Sequence, residues 1–229
     1  MQYATVEIHA GEGPKFHGIG ASFYAYQLYI SLFQGTASRI ILTKGEKGPK
    51  KYLNAVEAGW HVTTGCLLVK LQINSDGFQK TGCQNMICKG FVQTSTRVTP
   101  GMVLDNLVEL ALSIYKDKFT SNWMLYNDNE HVGYWPKEIF NNMEDCSQVQ
   151  MGGNAYSQIN LPSPPMGNGV LNQAKFEKVF MIDGDGSKSK VPVDKVTTYN
   201  DLGEDYYGVS PDFENDMLHY GGPGGWTGI

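Results

Sequence analysis

The run Ala55-Val56-Glu57-Ala58-Gly59-Trp60-His61-Val62 indicates how this chain folds. Side chains of a β-strand point alternately to its two faces. One face of this run is apolar and carries Val56, Ala58 and Trp60. The opposite face carries a carboxylate beside small or polar neighbours, namely Glu57, Gly59 and His61. The run therefore predicts a strand with one face in the core, and the glycine beside Glu57 leaves room for a ligand.

Further β-rich runs recur along the chain with turn residues between them. They are residues 20–27, 38–43, 67–73, 110–115, 122–126 and 176–182. Glycine is abundant (27 residues), and aromatic residues make up 12% of the chain. Many short strands separated by turn signals are typical of an all-β sandwich.

Three segments interrupt the strand pattern. Pro136 suits the first position of a helix, and a helix there would place Ile139, Phe140 and Met143 on one face, so one short helix is predicted. The proline-containing segment 154–175 predicts a long irregular loop. Residues 183–187, Asp-Gly-Asp-Gly-Ser, predict a turn and lack the full spacing of a calcium loop.

Length and charge limit the classes of function. A chain of 229 residues fits one large domain, and a formal net charge of −5 without a long run of either sign disfavours nucleic acid and membrane surfaces as partners. No apolar stretch is long enough for a transmembrane helix. The motifs for phosphate loops, dinucleotide sites and serine nucleophiles are missing, so no cofactor is expected.

Four cysteines, Cys66, Cys83, Cys88 and Cys146, permit two disulfides in three connectivities. The alternative is four buried thiols in a reducing compartment. The spacing of Cys83 and Cys88 fits a zinc knuckle poorly, and the histidines show no metal-ligand spacing, so no metal site is predicted.

Six segments together resemble the neprosin family of plant glutamic peptidases. They are residues 53–60 (Leu-Asn-Ala-Val-Glu-Ala-Gly-Trp), 82–93 (Gly-Cys-Gln-Asn-Met-Ile-Cys-Lys-Gly-Phe-Val-Gln), 133–140, 149–156, 166–169 and 220–224. The resemblance implies an antiparallel, jelly-roll-like β-sandwich of two large sheets, with a cleft that accepts an extended peptide. It also implies one domain over residues 1–229, without the activation segment that the family carries.

The resemblance implies a pair of catalytic glutamates, of which Glu57 matches the first. The second should follow Gly152-Gly153, where this chain has Asn154. A neighbouring family of glutamic peptidases uses a glutamate and a glutamine, so the Asn154 amide is either a donor to the oxyanion or the remnant of a lost base. Asn is shorter than Glu, which favours the lost base. The alternative to a functional role is that Asn154 is a turn residue after Gly152-Gly153, a position that asparagine fills readily. Gly59 and His61 are the candidate substrate contacts.

The same resemblance implies a Cys83–Cys88 disulfide. Cys66 and Cys146 are then left as a second bridge or as unpaired thiols, because the family's C-terminal cysteine is missing before the chain ends. By resemblance, the family is secreted or vacuolar and cleaves after proline at acidic pH, so the expected partner is a peptide or protein, proline-rich segments included. We predict weak or absent peptidase activity; the alternative is a non-catalytic protein that binds peptide or glycan in the same cleft, in defence or storage.

Overall fold

The β-rich runs form two antiparallel sheets in the computed structural model of this chain, which confirms the predicted β-sandwich. The structure describes residues 1–13, 15–49, 52–62 and 90–226 in full, and residues 66–73 and 82–84 as backbone alone. In this part of the chain the first sheet has seven strands. In spatial order they are β14 (Val196–Asn200), β1 (Gln2–His9), β11 (Gln148–Ser157), β3 (Gln34–Lys44), β4 (Asn54–His61), β5 (Cys66–Ile73) and β6 (Gly82–Gln84).

The second sheet has nine strands among the described residues. Eight follow one another as β15 (Gly208–Asp212), β16 (Met217–Gly221), β12 (Ala174–Ile182), β2 (Gly18–Ala25), β8 (Val108–Lys116), β9 (Trp123–Asn127), β10 (Glu130–Trp135) and β7 (Val92–Gln93), and β13 (Lys188–Ser189) pairs with β12. Residues 183–187 make the predicted turn between β12 and β13, closed by the amide of Gly186 donating to the carbonyl of Asp183.

The core lies between the two sheets and draws alternate residues from both. Along β8, Leu110, Leu112 and Ile114 are buried while their neighbours are partly exposed. The seven-stranded sheet contributes Val6, Ile8, Ile40, Leu42, Val56, Ala58 and Trp60 to the same cluster. This alternation is the expected pattern for antiparallel sheets that pack face to face.

A buried hydrogen bond links the sheets across the core. The hydroxyls of Ser38 on β3 and Tyr220 on β16 are 2.5 Å apart, and both residues are inaccessible to solvent. Nearby, a Cβ on Gly153 would lie 2.5 Å from the sulfur of Met166, so the side chain of Met166 packs directly on the β11 backbone.

The predicted helix after Trp135 is wrong. Residues Lys137–Ile139 form a single 3-10 turn, and Phe140 is already extended. The backbone after this turn hydrogen-bonds to a side chain instead of continuing a helix. The indole N–H of Trp123 donates to the carbonyl of Met143 at 3.0 Å. Two further 3-10 turns are Val193–Lys195 and Phe213–Asn215. Among the described residues, no helix is long and apolar enough to cross a bilayer.

Candidate active site

Glu57 lies on the outer face of the seven-stranded sheet, as strand alternation predicted. Its neighbours Val56, Ala58 and Trp60 fill the core. Unlike the outer faces of most antiparallel sheets, this region is covered, and Glu57 itself is 0% exposed. A carboxyl without contact with water needs hydrogen-bond partners or a counter-ion.

Arg39 on β3 supplies that counter-ion. Its Nη1 donates to Oε1 of Glu57 at 2.9 Å, and its side chain is only 11% exposed. The guanidinium also lies 5.9 Å from the centre of the Tyr3 ring. The second carboxyl oxygen of Glu57, Oε2, is buried without a hydrogen-bond partner among the described residues. Glu57 therefore offers one free acceptor to whatever enters the site.

Asn154 lies within β11, and the prediction that it occupies a turn is wrong. The strand continues to Ser157, so the irregular segment predicted over 154–175 begins only after that residue. Gly152 and Gly153 are not turn residues either: a Cβ on Gly152 would lie 2.4 Å from the carbonyl oxygen of Ala4. Asn154 is 4% exposed, and its Oδ1 has no partner in the described part of the chain.

The pairing of β11, β3 and β4 fixes the relation between Glu57 and Asn154. Glu57 is level with Ile41 and Gln150, whereas Asn154 is level with Ala37 and His61. Both face outward, but they are two strands and four residues apart. Strand spacings of about 4.8 Å and rises of about 3.3 Å per residue put their Cα atoms roughly 16 Å apart.

Glu57 and Asn154 therefore do not contact each other. Carbon–carbon bonds of about 1.5 Å limit the reach of each side chain to roughly 5 Å or less. Consistent with this separation, Glu57 Oε2 and Asn154 Oδ1 each lack a hydrogen-bond partner among the described residues. Arg39 occupies the interval, because it is level with Gly59 on β4 and with Gly152 on β11.

Gly59 and His61 share the outer face with Glu57, but the structure gives Gly59 a different role from the predicted one. A Cβ on Gly59 would lie 2.1 Å from the carbonyl oxygen of Ser38, so the close approach of β3 and β4 requires glycine. The His61 ring stacks on the ring of Tyr156 at 6.0 Å. Burial lowers the pKa of His61, and the nearby Arg39 guanidinium lowers it further.

A pocket of about 290 Å³ opens beside Glu57. It is lined by Met1, Tyr3, Glu7, Arg39, Ile41, Thr43, Glu57, Gln150 and Tyr199. The Gln150 amide donates to Thr5 at 3.3 Å and to Glu7 at 3.4 Å, and is thus turned away from Glu57. Across the described residues, no three His, Cys, Asp or Glu side chains converge as a metal ion would require.

Cys146 is a free, buried thiol, so the suggested bridge between Cys66 and Cys146 is wrong. Its sulfur donates to the carbonyl of Phe16 at 3.3 Å. The predicted Cys83–Cys88 disulfide and the side chain of Cys66 lie outside the described residues.

Sequence reasoning missed Arg39, which hydrogen-bonds to Glu57. An arginine directly before the apolar residues Ile40, Ile41 and Leu42 was a visible signal of a special environment. The partner could not be named, however, because local alternation does not give the register between strands.

Comparisons with known proteins agree with this architecture. Two crystal structures of scytalido-glutamic peptidase, one with a peptide-based transition state analogue and one with a transition state analogue inhibitor, match at TM-scores of 0.53 and 0.54. Each match covers 96% of both chains at 8% identity, which establishes similarity of fold alone. The model of the family described as Neprosin matches residues 33–223. That match spans most of the chain, and this chain therefore belongs to the neprosin family.

Proposed function

We propose that this chain binds extended peptides over the outer face of its seven-stranded sheet and hydrolyses them weakly or not at all. The observation that carries the proposal is the state of the two dyad positions. Glu57 is bound to Arg39, and an amide, Asn154, stands where the family resemblance implies the second carboxyl.

The binding half of the proposal rests on the pocket beside Glu57. Its lining combines the aromatic rings of Tyr3 and Tyr199, 6.1 Å apart, with the unpartnered Oε2 of Glu57. Aromatic rings beside polar and charged groups suit a peptide's side chains and backbone, and a buried acceptor that lacks a partner among the described residues can accept from a ligand N–H.

The catalytic half follows from the chemistry of peptide hydrolysis. A carboxyl pair can share one proton, so that one member removes a proton from water and the other donates to the carbonyl oxygen. An amide donates to an oxyanion but never transfers a proton to the leaving nitrogen. Asn154 therefore replaces at most half of the second carboxyl's work, and it lies out of contact with Glu57.

The test measures binding and cleavage separately on one labelled proline-rich peptide. Fluorescence anisotropy reports binding, and mass spectrometry reports cleavage over about pH 3 to 5, where carboxyls titrate. We expect saturable binding with slow or undetectable cleavage. Glu57→Gln should weaken binding and remove any residual cleavage, whereas Glu138→Gln, an exposed glutamate on the 3-10 turn, is the matched control.

Two results would overturn the proposal in different ways. Rapid cleavage that Glu57→Gln abolishes would make the chain a competent peptidase. A lack of binding to any peptide, with binding to glycans instead, would assign the face to another class of ligand.

A further inference from the structure

We infer that Arg39 is a positioning residue that keeps Glu57 out of hydrolysis, so that returning a carboxyl to position 154 is not sufficient to restore the site. This role of Arg39 rests on the proposed function, because it identifies the group that prevents Glu57 from acting as a catalytic carboxylate. Asn154 is the visible difference from the family's dyad, but the structure places a second obstacle on the neighbouring strand.

The first support is the position of Arg39 in the sheet. It lies one strand and two residues from Glu57, and one strand and two residues from Asn154, on the diagonal that joins them. Its neighbours directly across, Gly59 and Gly152, have no side chains. The guanidinium is therefore the group that fills the interval in which a peptide carbonyl and a water would have to lie.

The second support is the way in which Arg39 uses its hydrogen-bond donors. A guanidinium has five N–H donors in a fixed fork. Within the described residues, hydrogen bonding by Arg39 is confined to Nη1, which reaches Glu57. A new carboxylate from position 154 would extend toward the same guanidinium, because Arg binds carboxylates strongly and can hold two at once.

An arginine bound to two carboxylates in this way cannot support peptide hydrolysis. In hydrolysis, one carboxylate takes a proton from water as the water oxygen bonds to the carbonyl carbon. A second, protonated carboxyl donates to the carbonyl oxygen and then gives its proton to the nitrogen as the C–N bond breaks. An arginine that hydrogen-bonds to both carboxyls holds them in ion pairs, so neither is placed to donate a proton to the leaving nitrogen.

The experiment compares four proteins on the same proline-rich peptide: the wild-type chain, Asn154→Glu, Arg39→Gln, and the double variant Arg39→Gln/Asn154→Glu. We expect neither single variant to approach the activity of the double variant, because each leaves one of the two obstacles in place. The double variant should gain about a hundredfold or more, the lower range of acid–base catalysis. Adding Glu57→Gln to the double variant should remove the gain.

A charge-keeping control separates an electrostatic role from a structural one. Arg39→Lys/Asn154→Glu retains the cation and should stay as inactive as Asn154→Glu alone. Arg39→Met is made in parallel as a second neutral variant, and circular dichroism confirms which proteins are folded. A measurement independent of activity is the free energy of unfolding: Asn154→Glu should be tolerated better with Arg39 present than with Gln at that position.

Full activity of Asn154→Glu alone would overturn the inference, because Arg39 would then be no obstacle. So would a folded double variant that binds the peptide without cleaving it, although the peptide-binding function would survive. If no variant binds the peptide, the proposed function itself fails.

Discussion

Arg39 and Glu57 form an ion pair whose main consequence is chemical. Removing two charges from water costs about as much as their attraction returns, so a buried pair contributes little net stability compared with apolar residues. Net stabilisation of the fold therefore does not explain why the pair is present. It does fix the orientation of Glu57 and occupies one of its oxygens, while Oε2 has no hydrogen-bond partner among the residues that the structure describes.

His61 gives a pH-dependent prediction. Its folded-state pKa is lowered, by burial first and by Arg39 second. The unfolded chain then binds a proton that the folded chain resists, so stability falls as pH drops below the unfolded value of about 6.5. We expect His61→Gln to lose less stability than wild type between pH 7.5 and the acidic range. Urea unfolding at both pH values measures the difference.

The comparison is internally controlled, because both proteins carry the same carboxyls and His61 is neutral in both states at the higher pH. If the difference in unfolding free energy between wild type and His61→Gln is the same at both pH values, the lowered pKa of His61 is contradicted. If wild type instead gains stability relative to His61→Gln as the pH falls, the protonated ring is stabilised in the fold.

Sequence reasoning located Glu57 but not its surroundings. The alternation around Trp60 correctly separated a core face from a face bearing Glu57, Gly59 and His61. Arg39 was not identified, because its contact with Glu57 depends on the pairing of β3 with β4. Register is a property of two strands at once, and a single run of residues does not contain it.

At the level of elements, β11 shows how a glycine pair can mislead. Gly152-Gly153 followed by Asn154 has the composition of a turn. In the structure these glycines are central strand residues, because Ala4 approaches Gly152 and Met166 packs on Gly153. Glycine in a strand marks either a turn nearby or a close approach from outside, and sequence alone does not separate the two.

The link between β3 and β16 is open to a direct test. The hydroxyls of Ser38 and Tyr220 are buried and, among the described residues, bond to each other across the core, so removing one leaves the other without that partner. We expect Tyr220→Phe and Ser38→Ala each to lower the free energy of unfolding by about 1 to 3 kcal/mol. The double variant should cost less than the sum of the two, as denaturant unfolding can measure.

Tyr24→Phe, on a partly exposed tyrosine of β2, is the matched control for loss of a hydroxyl and should be nearly neutral. Strict additivity of Ser38→Ala and Tyr220→Phe would show that the two hydroxyls do not interact. The contact between Ser38 and Tyr220 would then add nothing to the stability of the sandwich.

For the molecule as a whole, the fold was predictable and the site was not. Repeated alternation along many runs predicts a sandwich even if several elements are misplaced, because each strand independently requires a core face. The helix predicted after Trp135 failed without affecting that conclusion. The site depends on single contacts between strands distant in sequence, such as Arg39 with Glu57, and one wrong register removes it.

Cys146 lies where the two sheets are joined, which makes it a probe of the whole fold. It precedes β11 of one sheet and pairs through its backbone with Phe16, which precedes β2 of the other. The thiol is fully buried, and burial raises its pKa. A reagent that needs the thiolate is therefore hindered by burial and by the raised pKa of Cys146. Both effects are lost when the sheets separate.

We expect Cys146 to react with a thiol reagent in the native protein at least about a thousandfold more slowly than in guanidinium, as for groups exposed only by global unfolding. Peptide mapping without reductant identifies the labelled cysteine, and Cys146→Ala gives the background. Native labelling at the unfolded rate would place Cys146 at a locally opening edge. Its recovery in a disulfide-linked peptide would contradict the free thiol, because a bridge and a hydrogen bond to Phe16 both require the same sulfur.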